Sequence, residues 1–204
     1  MSSAVSATSQ AGTEWRNNVM GGLKLGIVTA IGVVAFAMLS RAMEGTAEVV
    51  VQSVLLLAGV AVFAYLPAAF GRPRDVDSIA WAAMIGLLGA LFFTAIDTAL
   101  LRPFSLYHWT WDAIGGGSGF WYIPVWWMAS ATLAWLGAWI VANQASGGAP
   151  NIPVEAGKTI GLGIVVSAIL IGLKITPFSS AAVALATVIA LIIHVALSGA
   201  MRKG

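Results

Sequence analysis

Cysteine is absent from this chain, and charged residues are scarce. The 204 residues contain no cysteine, and only 9% are charged whereas 59% are hydrophobic. The lack of thiols excludes disulfides, thiolate metal sites, Cys-ligated iron–sulfur clusters and a cysteine nucleophile. So few charges cannot cover a water-facing surface, and the scattered net charge of +2 does not predict nucleic-acid binding. A lipid bilayer is therefore the expected environment.

The apolar residues form six blocks of about twenty, the length of a helix that crosses the hydrocarbon core. We predict an all-α fold, a polytopic transmembrane helical bundle with about six spans. The fifth block is the weakest because Lys158 and Lys174 lie close to its two ends, and five spans remain the alternative. The predicted spans are 22–42, 47–70, 78–101, 119–142, 157–174 and 178–199.

The charge distribution predicts an orientation. Residues 1–20 are polar and lack the apolar core of a cleaved signal, so they are predicted to be a flexible cytoplasmic tail before a single bundle over 21–204. Seven of the ten Lys and Arg residues fall on the side of this tail, and positively charged loops stay in the cytoplasm. We therefore expect both termini inside, in a bacterial inner membrane, and an aromatic outer loop over 102–120 on the extracytoplasmic side.

This outer loop and the start of span four are rich in Trp, Tyr, Gly and Pro. Such a segment is too apolar to extend into water and is expected to lie in the membrane interface. Its rings either anchor the bundle or offer a binding surface to a lipid, a quinone, a carotenoid or a chlorophyll-type pigment. The candidate ligand-binding residues are Asp97, Arg102, Tyr107, His108, Trp109, Trp111, Asp112, Trp121, Trp126 and Trp127.

Acidic residues gather on the same predicted side of the membrane. Asp97 lies in an apolar run, where a carboxylate is costly unless it is paired, and Arg102 is its expected partner. Alternatively, carboxylates and an imidazole would ligate a divalent cation if folding brought them together. The residues available for such a site are Glu44, Glu48, Asp97, His108 and Asp112.

His194 lies toward the cytoplasmic end of the last predicted span. It either hydrogen-bonds a neighbouring helix or ligates haem or a chlorophyll-type pigment. Gly117-Ser118-Gly119 followed by His194 resembles two short motifs of the intramembrane rhomboid proteases, and the resemblance implies Ser118 as nucleophile and His194 as base. These two side chains are predicted to lie roughly 24 Å apart in depth, and span two lacks the His or Asn of that family.

Three functions are compatible with this pattern. The first is a non-catalytic subunit of a larger membrane complex, joined to partner proteins or further copies. Glycines spaced by three or four residues are expected to pack helices closely within the bundle or, alternatively, against a partner subunit; they are Gly22, Gly26, Gly32, Gly86, Gly89, Gly157, Gly161 and Gly163. The alternative is a small-solute transporter or substrate-capture component, and the third is an intramembrane serine hydrolase. A transport pathway near the midplane would have few polar residues, namely Thr94, Asp97, Ser130, Thr132 and Ser167.

Overall fold

The computed structural model describes residues 2–73, 75–104, 122–145 and 149–201, and these ranges contain helices and no strand. Six of the helices contain a segment long and apolar enough to cross a membrane, which confirms the predicted six-span helical bundle. The chain is therefore an integral membrane protein. The helices are α1 (Ser2–Ala42), α2 (Gly45–Gly71), α3 (Val76–Ile96, continued by a π-helical turn over Asp97–Leu101), α4 (Tyr122–Ala145), α5 (Ile152–Gly172) and α6 (Ser180–Met201).

Short connections reverse the chain and define two ends of the bundle. The α2–α3 and α4–α5 connections lie at one end, here called the Pro73 end, and the α1–α2 and α5–α6 connections lie at the other, the Glu44 end. Which end faces the cytoplasm stays a prediction. The division of the chain into a tail over 1–20 and a bundle over 21–204 also stays a prediction, although α1 begins at Ser2.

α2 is the central helix. It packs against each of the other five, which follow one another around it in the order α1, α3, α4, α6 and α5. Small residues permit this close packing: a Cβ atom at Gly137 of α4 would overlap the backbone of Ala64 in α2. Glycines also face a neighbouring helix closely at Gly22, Gly26, Gly86, Gly89 and Gly163, whereas Gly32, Gly157 and Gly161 face open space.

The start of α5 differs from its predicted position. The helix begins at Ile152 and not at residue 157, because the Asn151 side chain accepts a hydrogen bond from the Val154 N–H at 3.3 Å. Pro153 lies in the first turn, where its missing N–H costs nothing. With 21 residues, α5 is long enough to cross the membrane, and Lys158 lies within the helix rather than at its end.

A capping box begins α3. The Asp75 carboxylate accepts a hydrogen bond from the Ser78 N–H at 2.8 Å, and the Ser78 hydroxyl accepts one from the Asp75 N–H at 3.0 Å. The Ser78 hydroxyl also donates to this carboxylate, and together these bonds hold the pKa of Asp75 below its ordinary value. The cap fixes the turn between α2 and α3 at the Pro73 end.

The packing of α2 against α4 predicts a large difference between two glycine substitutions. Gly137→Ala is expected to lower the free energy of unfolding by about 2 kcal/mol or more, since backbone atoms cannot move aside as a flexible side chain can. Gly161→Ala, where a Cβ meets nothing within 4 Å, should change it by less than about 0.5 kcal/mol. Thermal unfolding in mild detergent measures both, and equal stabilities would contradict the described α2–α4 contact.

Candidate functional site

Buried polar side chains from three helices meet near the Pro73 end. The hydroxyl of Tyr65 in α2 lies 2.6 Å from Thr159 Oγ1 in α5, which lies 2.8 Å from Nδ1 of His194 in α6. The other ring nitrogen, Nε2, lies 3.0 Å from Oε2 of Glu155. Lys158 completes this polar network by donating a hydrogen bond from Nζ to Oε1 of Glu155 at 2.7 Å.

Helix geometry places these side chains together. Glu155 and Thr159 are four residues apart and therefore share one face of α5. Thr159 follows the start of α5 by seven residues and His194 precedes the end of α6 by seven, so both lie about 10 Å inside the bundle. Tyr65 comes six residues before the end of α2 and reaches the same level. Three helices thus deliver polar groups to one depth in the membrane.

The electrostatics centre on Glu155, which is 4% exposed, and His194, which is 5% exposed. A carboxylate in a low-dielectric interior is costly without a compensating charge. Lys158 supplies one, and the N-terminal turn of α5 adds the favourable end of the helix dipole. The Lys158 side chain is 53% exposed, so this cation also reaches the surrounding medium.

The second carboxylate oxygen of Glu155 is incompletely satisfied. Oε2 is buried, and although it lies within ion-pair distance of His194 Nε2, it has no hydrogen-bond partner of acceptable geometry in the described part of the chain. A buried acceptor without a hydrogen bond is uncommon and requires an explanation. A proton on this carboxylate would turn it into a donor and remove its negative charge.

The order of donors and acceptors in the network can be assigned. With an ionised Glu155 and a neutral His194, the Nε2 nitrogen that faces Glu155 carries the hydrogen, so Nδ1 accepts from Thr159 and the Thr159 hydroxyl accepts from Tyr65. Protonation of the ring at Nδ1 makes this nitrogen a donor, so the Thr159 hydroxyl must accept from it and turn its own proton toward Tyr65. The network therefore has two proton arrangements that differ by hydroxyl rotation.

A cleft opens above this network at the Pro73 end. It has a volume of about 550 Å³, and its walls include Ala69 and Arg72 of α2, Val141 of α4 and Ile152 of α5. Ala69 lies one helical turn from Tyr65, and Ile152 lies one turn from Glu155, on the same helix faces. Val141 belongs to the same buried cluster as Tyr65. The cleft therefore lies about one helical turn nearer the end of the bundle than the network does.

The residues predicted at the outer loop divide into two groups. Asp97 is 1% exposed, and its carboxylate lies 3.0 Å from Nε of Arg102, which confirms the predicted pair. Trp126 packs against Phe63 and Phe93. Trp127 donates to Thr94 at 3.0 Å. The predicted residues Tyr107, His108, Trp109, Trp111, Asp112, Ser118 and Trp121 lie outside the described residues.

Ligand binding at this end stays a prediction. Asp97, Trp126 and Trp127 lie at the Glu44 end, far along the bundle from Glu155 and His194. In the ranges that the structure describes, no three His, Asp or Glu residues are grouped as metal ligands.

His194 hydrogen-bonds a neighbouring helix, as one of the two predicted roles requires. Its Nδ1 is next to Thr159 and its Nε2 is next to Glu155. Ligation of haem or a pigment magnesium would require one nitrogen to leave its present partner. That role stays a prediction and has no support from this geometry.

Sequence reasoning missed Glu155, Thr159 and Tyr65. With the fifth span predicted to start at residue 157, Glu155 fell in a solvated linker, where a carboxylate needs no partner. The signal that would have corrected this is Asn151 followed by Pro153, a helix start, which puts Glu155 and Thr159 inside the span at i, i+4 spacing.

Comparison of the chain with protein-family models, with curated proteins and with solved structures gives no match.

The central role of Thr159 in the network can be tested by removing its hydroxyl. Thr159→Val leaves both Tyr65 and His194 without their nearest partner and is expected to lower the free energy of unfolding by about 1–3 kcal/mol. Thr159→Ser, which keeps the hydroxyl, should retain most of the stability. Unfolding in detergent and the ¹⁵N shift of the His194 ring are the readouts. Equal stability and an unchanged Nδ1 shift in both variants would contradict the network.

Proposed function

We propose that the protein is a proton-coupled transporter of a small solute, in which Glu155 and His194 together bind and release the proton. The observation that carries this proposal is the buried Glu155 carboxylate, which has one oxygen on Lys158 and the other 3.0 Å from Nε2 of His194. Ionisable residues buried among membrane spans are the usual components of proton relays and ion pathways.

A purely structural role explains this arrangement poorly. Buried ion pairs stabilise a fold little or not at all compared with apolar residues of similar volume, because desolvation offsets the attraction between the charges. Here the pair is joined to two hydroxyl groups on different helices, so four polar groups would be retained where apolar side chains would pack as well. Proton exchange gives them a function.

The charged and titratable groups that face the pair limit how the proton is held. They are Lys158 on α5 and Tyr65 on α2. α4, which also packs against α5 and α6, has no Asp, Glu, Lys, Arg or His within Tyr122–Ala145. The site therefore holds one carboxylate, one imidazole and one lysine, and each added proton raises its net charge by one. This charge change would bias α2, α5 and α6 between two packed states.

A pH jump tests the proposal without knowledge of the solute. Proteoliposomes adsorbed on a solid-supported membrane should give a transient current when the pH falls, since protons move into the buried site. Glu155→Gln should abolish most of this current because the glutamine amide does not take up a proton when the pH falls.

Glu48→Gln is the matched control, the same chemical change at a partly buried carboxylate of the Glu44 end, and its current should equal that of the wild type. Absence of the wild-type current, or a full current in Glu155→Gln, would refute proton coupling at this site.

A role as a membrane subunit is the second candidate function, and one observation favours it. Gly157 and Gly161 lie one turn apart on α5 and face open space, in contrast to the glycines packed inside the bundle. A pair of this kind lets a helix from another chain or another copy approach closely.

The subunit role predicts that the protein extracted in mild detergent migrates on a native gel as an assembly. The double variant Gly157→Leu with Gly161→Leu should convert it to a single chain, because two large side chains prevent close approach. Gly32→Leu, at another glycine that meets nothing within 4 Å, is the control. A wild-type protein that migrates as one chain, or an assembly unchanged in the double variant, would count against this role.

A further inference from the structure

The cleft at the Pro73 end has the size and the wall chemistry of a binding site for a small molecule. Its volume of about 550 Å³ falls within the range of roughly 300–1,000 Å³ that is common for ligand pockets. Apolar atoms of Ala69, Val141, Ile152 and Pro150 form much of the wall, and Arg72, which carries a permanent positive charge, is among the lining residues. A site of this composition fits a ligand with a short apolar body and an anionic group.

The backbone at Arg72 supports a specific role for this side chain. Arg72 ends α2 in the left-handed conformation, with φ 44° and ψ 60°, and its N–H bonds the Ala68 carbonyl oxygen. Glycine or asparagine is usual at such a position because a Cβ atom is unfavourable there. The cap fixes the Arg72 backbone at the cleft wall, and a guanidinium is well suited to pair with a carboxylate, sulfonate or phosphate.

We propose that the cleft binds the transported solute, and that this solute is a small organic anion with a short apolar body whose charged group pairs with Arg72. This inference rests on the proposed function and adds the chemical class of its substrate. It also explains the coupling: a proton taken up by Glu155 or His194, one turn below the cleft wall, removes a negative charge or adds a positive one. The anion is then held more tightly, and by reciprocity the bound anion favours the proton.

The charges that act on the bound anion can be named for each helix around it. α2 contributes Arg72, and α5 contributes Lys158 and Glu155, of which Glu155 is the group that loses its negative charge on protonation. α4 contributes no charged side chain within Tyr122–Ala145. Among these three described residues, Arg72 lines the cleft, whereas Lys158 and Glu155 lie deeper along α5. Protonation of Glu155 removes the negative charge nearest to the cleft on α5, so anion affinity should increase as pH falls.

The test uses 1-pentanesulfonate, which stays ionised at all relevant pH values, so that any pH dependence belongs to the protein. Its binding to the full chain in neutral detergent is measured by titration calorimetry at about pH 5.5 and about pH 7.5, on either side of the ordinary histidine pKa. Pentylammonium, of the same length and opposite charge, should not bind.

Three variants separate the contributions. Arg72→Gln should weaken sulfonate binding about tenfold or more through loss of a charge-assisted pair. Arg41→Gln, the same change at the Glu44 end, should not affect it. Glu155→Gln should bind at about pH 7.5 as tightly as the wild type does at about pH 5.5, because the amide resembles the protonated acid in charge.

The outcomes distinguish this inference from the function on which it rests. If the pH-jump current depends on Glu155 but sulfonate does not bind, or binds equally to Arg72→Gln, the anion class is wrong while proton coupling stands. If purified wild-type protein retains an anionic phospholipid that Arg72→Gln loses, the cleft holds a lipid headgroup, which overturns the solute assignment. If no Glu155-dependent current exists, the proposed function itself fails.

Discussion

The free-energy cost of a carboxylate inside an apolar bundle governs the arrangement of α2, α5 and α6. Glu155 lies within the membrane span because Asn151 caps α5, which begins at Ile152. Its charge must therefore be compensated by side chains close to it. Lys158 meets this requirement from the same helix, and His194 meets it from α6. The contacts of His194 with Thr159 and Tyr65 then join α2 to the pair. The contacts of one buried carboxylate and its neighbours thus extend over three helices at the Pro73 end.

Two carboxylates, Asp97 and Glu155, are buried in the described residues, and only Glu155 lies beside a group that readily exchanges protons. Asp97 is held by Arg102, a side chain that keeps its proton at any physiological pH. Glu155 instead faces an imidazole, the group best suited to gain and lose a proton, and a lysine that is half exposed to the medium. The same electrostatic need is therefore met at one end by a permanent cation and at the other by groups whose charge or position can change.

Most of the fold could be predicted from the sequence, and the site could not. Block length alone identifies six spans, and an isolated aspartate in an apolar run points to Arg102 as its partner. The network joins residues separated by up to 129 positions, and no local pattern shows which faces of α2, α5 and α6 meet. An error of five residues at the start of α5, 152 against 157, was enough to hide Glu155. Close helix packing at the spaced glycines is found only where a second helix crosses them. The spacing of glycines along one helix does not show where that crossing lies.

The central helix has the features needed to respond to a charge change beside it. Pro67 lies two residues from Tyr65 and has no N–H to bond the carbonyl oxygen four residues earlier, so the α2 hydrogen-bond ladder is interrupted next to the network. The backbone of Ala64 in α2 packs directly against Gly137 of α4, with no side chain of Gly137 between the two helices. The rotation of the Tyr65 hydroxyl that follows protonation of His194 would therefore occur beside a helix segment that lacks one hydrogen bond but is closely packed. Such a segment adopts discrete packed positions more readily than gradual ones. Ala69 and Arg72, on the next turn, would carry that change into the walls of the cleft.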